Sequence, residues 1–139
     1  MQVSLKHLRR VVENTCRKFS CDYVLLFGSQ ARGDRKDYSD IDLAVTFTGV
    51  RNHLSEASSL AFQLEESLGR KVDVLPLNIA DSVIKYEVFS HGILLYCKDY
   101  ARYLDDHVNA VDEYLDFQPR FERFYRKTLR ELKDASSRG

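Results

Sequence analysis

The chain has 139 residues, 44% hydrophobic and 30% charged, with 21 basic and 21 acidic side chains. That size suits a single domain able to bury a core without covalent staples. Zero formal charge gives no whole-molecule attraction to nucleic acid or to an anionic membrane, so neither is an expected partner. No apolar run approaches the ~20 residues of a membrane helix, and "MQVSLKHLRRVV" lacks the uninterrupted apolar segment of a secretory signal. Cys16, Cys21 and Cys97 are odd in number and form no CxxC pair, the usage expected of buried thiols in a reducing cytoplasm.

Residues 4 to 19 carry the helical period: Leu5, Leu8, Val11, Val12, Cys16 and Phe19 share a face, with Ser4 as N-cap. "DYVLLFG" is a short apolar run ending in glycine, a strand buried on both faces. "SDIDLAVTF" is the second strand, with Asp40 and Asp42 on one side and Ile41 and Leu43 on the other. Residues 52 to 68 return to the helical period through Leu54, Ala57, Leu60, Ala61, Leu64 and Leu68, and Gly69 is placed to end that helix. Gly49 and Asn52 read as turn residues.

"KVDVLPL" predicts a third strand, and Pro76 near its end marks an edge or a terminus. "DSVIKYEVFSHG" predicts a short helix capped by Asp81 and closed by Gly92, and "ILLYC" a fourth strand. Strands alternating with helices mean an α/β or α+β sheet domain.

From Asp99 the pattern is helical again. Leu104, Val108, Val111 and Leu115 make a seam that faces either the core or a partner. Pro119 predicts a kink or a division into two helices. Residues 99–117 hold six acids and one base, and residues 118–139 hold seven bases and three acids, so the neutral total hides a dipolar tail. Phe117, Phe121, Phe124 and Tyr125 lie among those bases, a composition enriched at interfaces. "RYLDDH" has arginine and histidine five apart, a spacing that does not share a helix face, and His107 is expected to be structural.

The densest chemistry lies in "GSQARGDRKDYSDIDLAV", residues 28–45. Residues two apart on a strand share a face with Cα atoms roughly 6.5–7 Å apart. Asp40 and Asp42 would therefore repel unless a cation lies between them, and magnesium shared with phosphates is the natural one. Gly28 lets a phosphate approach the backbone, Ser29 offers a hydroxyl, and a helix start supplies free N–H groups. Arg32, one turn on, adds a charge-assisted donor. Asp73 is alone in an apolar strand. It serves either as a strand-end residue paired with Arg70 or Lys71, or as a third carboxylate completing a two-metal site for in-line phosphoryl transfer.

"GSQARG" followed by "SDIDLAV" resembles the signature of the DNA polymerase beta-like nucleotidyltransferase superfamily, and in particular its minimal branch, found as the antitoxin of HEPN/MNT toxin–antitoxin pairs. The resemblance covers residues 23 to about 76. It implies a polymerase beta-like α/β fold, with a small mixed sheet, flanking helices and a C-terminal helical extension. The core would span residues 1–98, and residues 99–139 would extend the same domain as a candidate docking region.

The resemblance also implies roles. Gly28 and Ser29 would hold the triphosphate with help from Arg32. Asp40 and Asp42 would bind two Mg2+ ions, and Asp73 would ligate the catalytic one and help take the acceptor's proton. AMP would pass from ATP to a tyrosine of a cognate HEPN ribonuclease toxin and silence it. Two alternatives stay open: transfer to a small hydroxylated molecule such as an aminoglycoside, and neutralisation by binding alone. A chain with only a core and a helical tail leaves little from which to build an acceptor pocket, which favours a protein acceptor.

Overall fold

The computed structural model describes residues 3–28, 31 and 40–138; from residue 117 onward it describes the backbone throughout and the side chains of 123 and 126–134. Helix α1 (Leu5–Cys16) starts where the Ser4 side chain accepts the His7 N–H. It leads into β1 (Cys21–Phe27), and β2 (Ile41–Phe47) follows the connector. Helix α2 (His53–Leu68) ends at Gly69 in the left-handed region, as its position in the sequence predicts. Asn52 is more than a turn residue, because its side chain accepts the Ser55 N–H and caps α2.

Strand β3 (Val72–Pro76) passes through a single 3-10 turn into α3 (Ser82–His91), which Asp81 caps. Strand β4 (Ile93–Cys97) and the long α4 (Tyr100–Arg138) complete the chain.

The sheet order is β3-β2-β1-β4. β1 pairs antiparallel with β2 and with β4, while β2 and β3 run parallel, joined by α2. β3 is therefore an edge strand, which explains how Pro76 is tolerated at its end.

Alternation divides the core between the two faces. Val24, Leu26, Ile41, Leu43, Val45 and Phe47 pack under α1 and α2 with Leu8, Val12, Leu60 and Leu64. Tyr23, Leu25 and Ala44 pack on the other face with Val88, Phe89 and Ala110 of α3 and α4. With helices on both sides, β1 is apolar along nearly its whole length. Cys16 and Cys21 are buried free thiols within the first layer, and Cys97 is a half-buried one.

Two expectations change and one is narrowed. Leu54 belongs by period to the buried stripe of α2 but is exposed, because the stripe starts at Ala57. Pro119 does not divide the last segment into two helices: α4 runs unbroken for 39 residues. A proline removes one backbone N–H and crowds one carbonyl, and the remaining turns keep their own bonds. The seam of Leu104, Val108 and Leu115, which the sequence leaves open between core and partner, does not face the core. It is exposed, and α4 packs instead through Tyr103, His107 and Ala110.

Candidate active site

The parallel register of β2 and β3 aligns Ile41 with Val72, Asp42 with Asp73 and Leu43 with Val74. The apolar members of this run are committed to the layer under α1 and α2. The period of two then sends Asp42 and Asp73 together to the opposite face, one strand spacing of ~4.8 Å apart. Both carboxylates stand at the start of their strands, at the end of the sheet where β1 finishes. Phe27, the last residue of β1, is the cross-strand partner of Asp42. Asp73 is exposed on the edge strand, and Asp42 is half-buried.

Gly28 follows Phe27 with φ +74°, a conformation that disfavours any side chain. A Cβ there would stand 2.5 Å from Asp42 Oδ2. The turn thus brings bare backbone against the carboxylate: its φ favours glycine, and any Cβ would force the Asp42 carboxylate to shift. Ala31 is helical. Ser29, Arg32 and the connector through Ser39 lie outside the described residues, so the phosphate-binding expectations placed on Ser29 and Arg32 do too.

Burial pushes the Asp42 carboxyl above the usual carboxylate range, and the charges of Asp73 and then Asp40 push it further. Asp40 leads into β2, where the following Ile41 N–H bonds the Lys71 carbonyl at 3.1 Å. Its carboxylate turns toward the Lys71 ammonium, with Oδ2 3.7 Å from Nζ. Lys71, weighed in the sequence as a partner for Asp73, is the counter-ion of Asp40. The sequence offered no signal for this pairing, which depends on the β2–β3 register.

Among the described residues no three His, Cys, Asp or Glu side chains already stand at metal-ligand spacing. The register joins Asp42 to Asp73, and Asp40 joins them through charge. A set of carboxylate oxygens, one member raised in pKa by burial and then by its neighbours' charge, has the donor chemistry that suits a hard divalent cation such as Mg2+.

The other sequence candidates separate from this end. Arg102 pairs with Asp22, bonds the Thr48 hydroxyl, and reaches Asp106 at 3.4 Å. His107 stacks on Phe89 with ring centroids 5.3 Å apart. The two therefore serve different neighbours, and His107 is structural. A cavity of about 260 Å³ lies on the same face, lined in part by Tyr23, Thr46, Asn78, Lys85 and Asn109, but none of Asp40, Asp42 and Asp73 borders it.

Paired carboxylates at the end of a small mixed sheet, beside a glycine turn, agree with the nucleotidyltransferase framework that the sequence resembles. The chain belongs to the polymerase beta-type nucleotidyltransferase family, whose model matches residues 11–101. It is 31% identical over 91 residues to a Methanocaldococcus jannaschii protein assigned as a protein adenylyltransferase, covering 66% of this chain and 97% of that one. Its fold is similar to a chain of a toxin–antitoxin complex solved with AMP-PNP (TM-score 0.75, 23% identity, 87% of this chain and 98% of that one). It is also similar to a chain of a complex of the tri-AMPylated Shewanella oneidensis HEPN toxin with its MNT antitoxin (TM-score 0.73, 20% identity, 91% and 99%).

Proposed function

We propose that this chain is the antitoxin of a HEPN-type pair and neutralises its toxin by transferring AMP from ATP to a tyrosine hydroxyl. The observation that carries the reading is the in-register Asp42–Asp73 pair beneath the Gly28 turn. Support comes from the relative assigned as a protein adenylyltransferase. The fold shared with chains from complexes with AMP-PNP and with an AMPylated toxin supports ATP and a toxin as the two substrates.

In this reading Asp40, Asp42 and Asp73 would hold two Mg2+ ions. When bound, the ions offset the charge of the triphosphate and of the carboxylates together. The chain's own groups do the rest. The Gly28 turn leaves backbone open to the phosphates, and Ser29 and Arg32 donate to their oxygens. The tyrosine hydroxyl gives its proton to Asp73 as its oxygen bonds the α-phosphorus. The bond from that phosphorus to the bridging oxygen breaks, and pyrophosphate leaves with the electron pair. Asp73 is exposed on an edge strand, which suits an acceptor delivered by another macromolecule. The extension, residues 99–139, is the region on which that partner would dock. No helix among the described residues is long and apolar enough to cross a membrane. In this reading the chain works in the cytoplasm.

The test combines labelled ATP, Mg2+ and the purified partner, read by label and by mass. Wild type should add AMP units to the partner, and Asp40→Asn and Asp42→Asn should each reduce labelling about a thousandfold, equivalent to ~4 kcal/mol. Wild-type labelling by the double variant would overturn the site. Neutralisation without any label would mean inhibition by binding, and label on an aminoglycoside instead of the protein would mean a small-molecule acceptor.

A further inference from the structure

Helix α4 has two apolar faces, and its own domain uses one. Tyr103, His107 and Ala110 pack on Tyr23 and Phe89, and Tyr114 stacks on Tyr86 at 3.9 Å. The other face carries Leu104, Val108, Val111 and Leu115, spaced four, three and four. Leu129 follows Leu115 by two whole heptads, and Leu132 is three residues further. Leu104, Val108, Leu115, Leu129 and Leu132 are all exposed, Val108 by 59% and Leu132 by 61%. The row thus keeps one phase from Leu104 to Leu132, over four heptads and ~42 Å of helix. A continuous helix across Pro119 is what preserves that phase.

We propose that this row is a self-association face, on which a second copy of the chain lays its own α4 antiparallel. The charge pattern selects both the occupant and the direction. In an antiparallel pair centred near residue 119, the acidic half of each helix faces the basic half of the other. With Leu104 and Val108 on the seam, the flanking positions that meet across it set Asp105 against Lys133 of the second copy and Asp112 against Arg126. All four side chains are exposed. A parallel pair would align acids with acids and bases with bases. The two central heptads read Gln118, Glu122 and Tyr125 in sequence, and polar residues at seam positions fix register at a cost in stability. The apolar leucines therefore act at the two ends of the seam, and the ion pairs beside them choose the alignment. The inference does not depend on the reaction; it reserves this row for the second copy and leaves the other faces of the extension, residues 99–139, to a toxin.

The experiment is sedimentation equilibrium on the full chain alone, from ~1 to ~100 µM. Wild type should reach twice the 16.2 kDa of one chain. Val108→Glu should be monomeric throughout. Asp112→Lys and Arg126→Asp should each weaken association about tenfold, and the double variant, with the charges exchanged, should recover it. Circular dichroism checks that each variant remains folded; the altered side chains are exposed, so helicity should persist. A monomeric wild type, or an exchanged pair no tighter than its single variants, overturns the proposal. So does a monomeric wild type in which Val108→Glu abolishes toxin binding, which would give the face to the toxin instead.

Discussion

Asp42 and Asp73 are cross-strand partners on the parallel β2–β3 pair, thirty-one residues apart in the chain and one strand spacing apart in the sheet. Their juxtaposition works against folding and for chemistry. The Asp42 carboxyl is raised by burial and by two carboxylate neighbours. A raised carboxyl pKa means that this group favours the fold at low pH, below the unfolded value, and that its contribution is lost as pH rises through the folded value. At neutral pH, without divalent ions, Asp42→Asn should therefore be more stable than wild type, by no more than about 1 kcal/mol because solvent screens the half-buried group. The advantage should vanish on acidification below the ordinary carboxylate range. Thermal melts at several pH values check this, and a variant that gains stability while losing transfer would separate the site's chemistry from its folding role.

Gly28 is held both by its φ of +74° and by Asp42 Oδ2, 2.5 Å from where a Cβ would stand. Gly28→Ala should cost ~1–3 kcal/mol in a denaturant titration and reduce transfer, since Asp42 must move. In an Asp42→Ala background the clash is absent and only the φ strain remains, so the same substitution should cost less there. Equal costs in both backgrounds would mean that the two residues do not touch.

Arg102 ties the start of α4 to the sheet through Asp22 and Thr48, and reaches Asp106 within its own helix; Asp22 is largely buried beside it. Arg102→Met should destabilise by ~2–3 kcal/mol, because it leaves a carboxylate with little water and no counter-ion. Asp22→Asn added to it should recover part of the loss. Tyr23→Phe removes a 2.7 Å hydrogen bond to Asp106 and should cost about 1 kcal/mol. Chemical denaturation of the four proteins measures each step.

Asn78 closes the far end of β2: its side chain accepts from the Phe47 N–H and donates to the Phe47 carbonyl, both at 2.9 Å. Asn78→Asp keeps the acceptor but turns an oxygen toward the Phe47 carbonyl. It should lose ~2 kcal/mol, with faster amide exchange at Phe47. Unchanged exchange there would show that the amide does not hold the strand end.

Much of the fold was legible because the code for it is local. Ser4, Asp81 and Gly69 announce helix ends by their own chemistry, and the periods of 3.6 and two separate helices from strands without reference to anything distant. The pattern of Gly28, Asp40 and Asp42 stands out in the sequence as a candidate, but the face-sharing it implies for the two aspartates is not a local matter: β2 starts at Ile41, and the Asp40 carboxylate turns to Lys71. Asn52 reads as a turn residue in the sequence because a cap and a turn use the same side-chain geometry, and only the direction of the following backbone tells them apart.

What the chain alone determined is therefore the set of elements and the identity of the acidic strand, each a property of a dozen neighbouring residues. Only the tertiary structure decided which carboxylate meets Asp42, which acid Lys71 neutralises, and which face of α4 turns outward. Register between strands far apart in sequence and the choice between two apolar helix faces both follow from packing over the whole sheet. The hydrophobic effect rewards buried area without naming a partner, so α4 could satisfy its sequence with either face down. Tyr103 and Ala110 filled the space over Tyr23 and Phe89, and the leucine row was left to the surface.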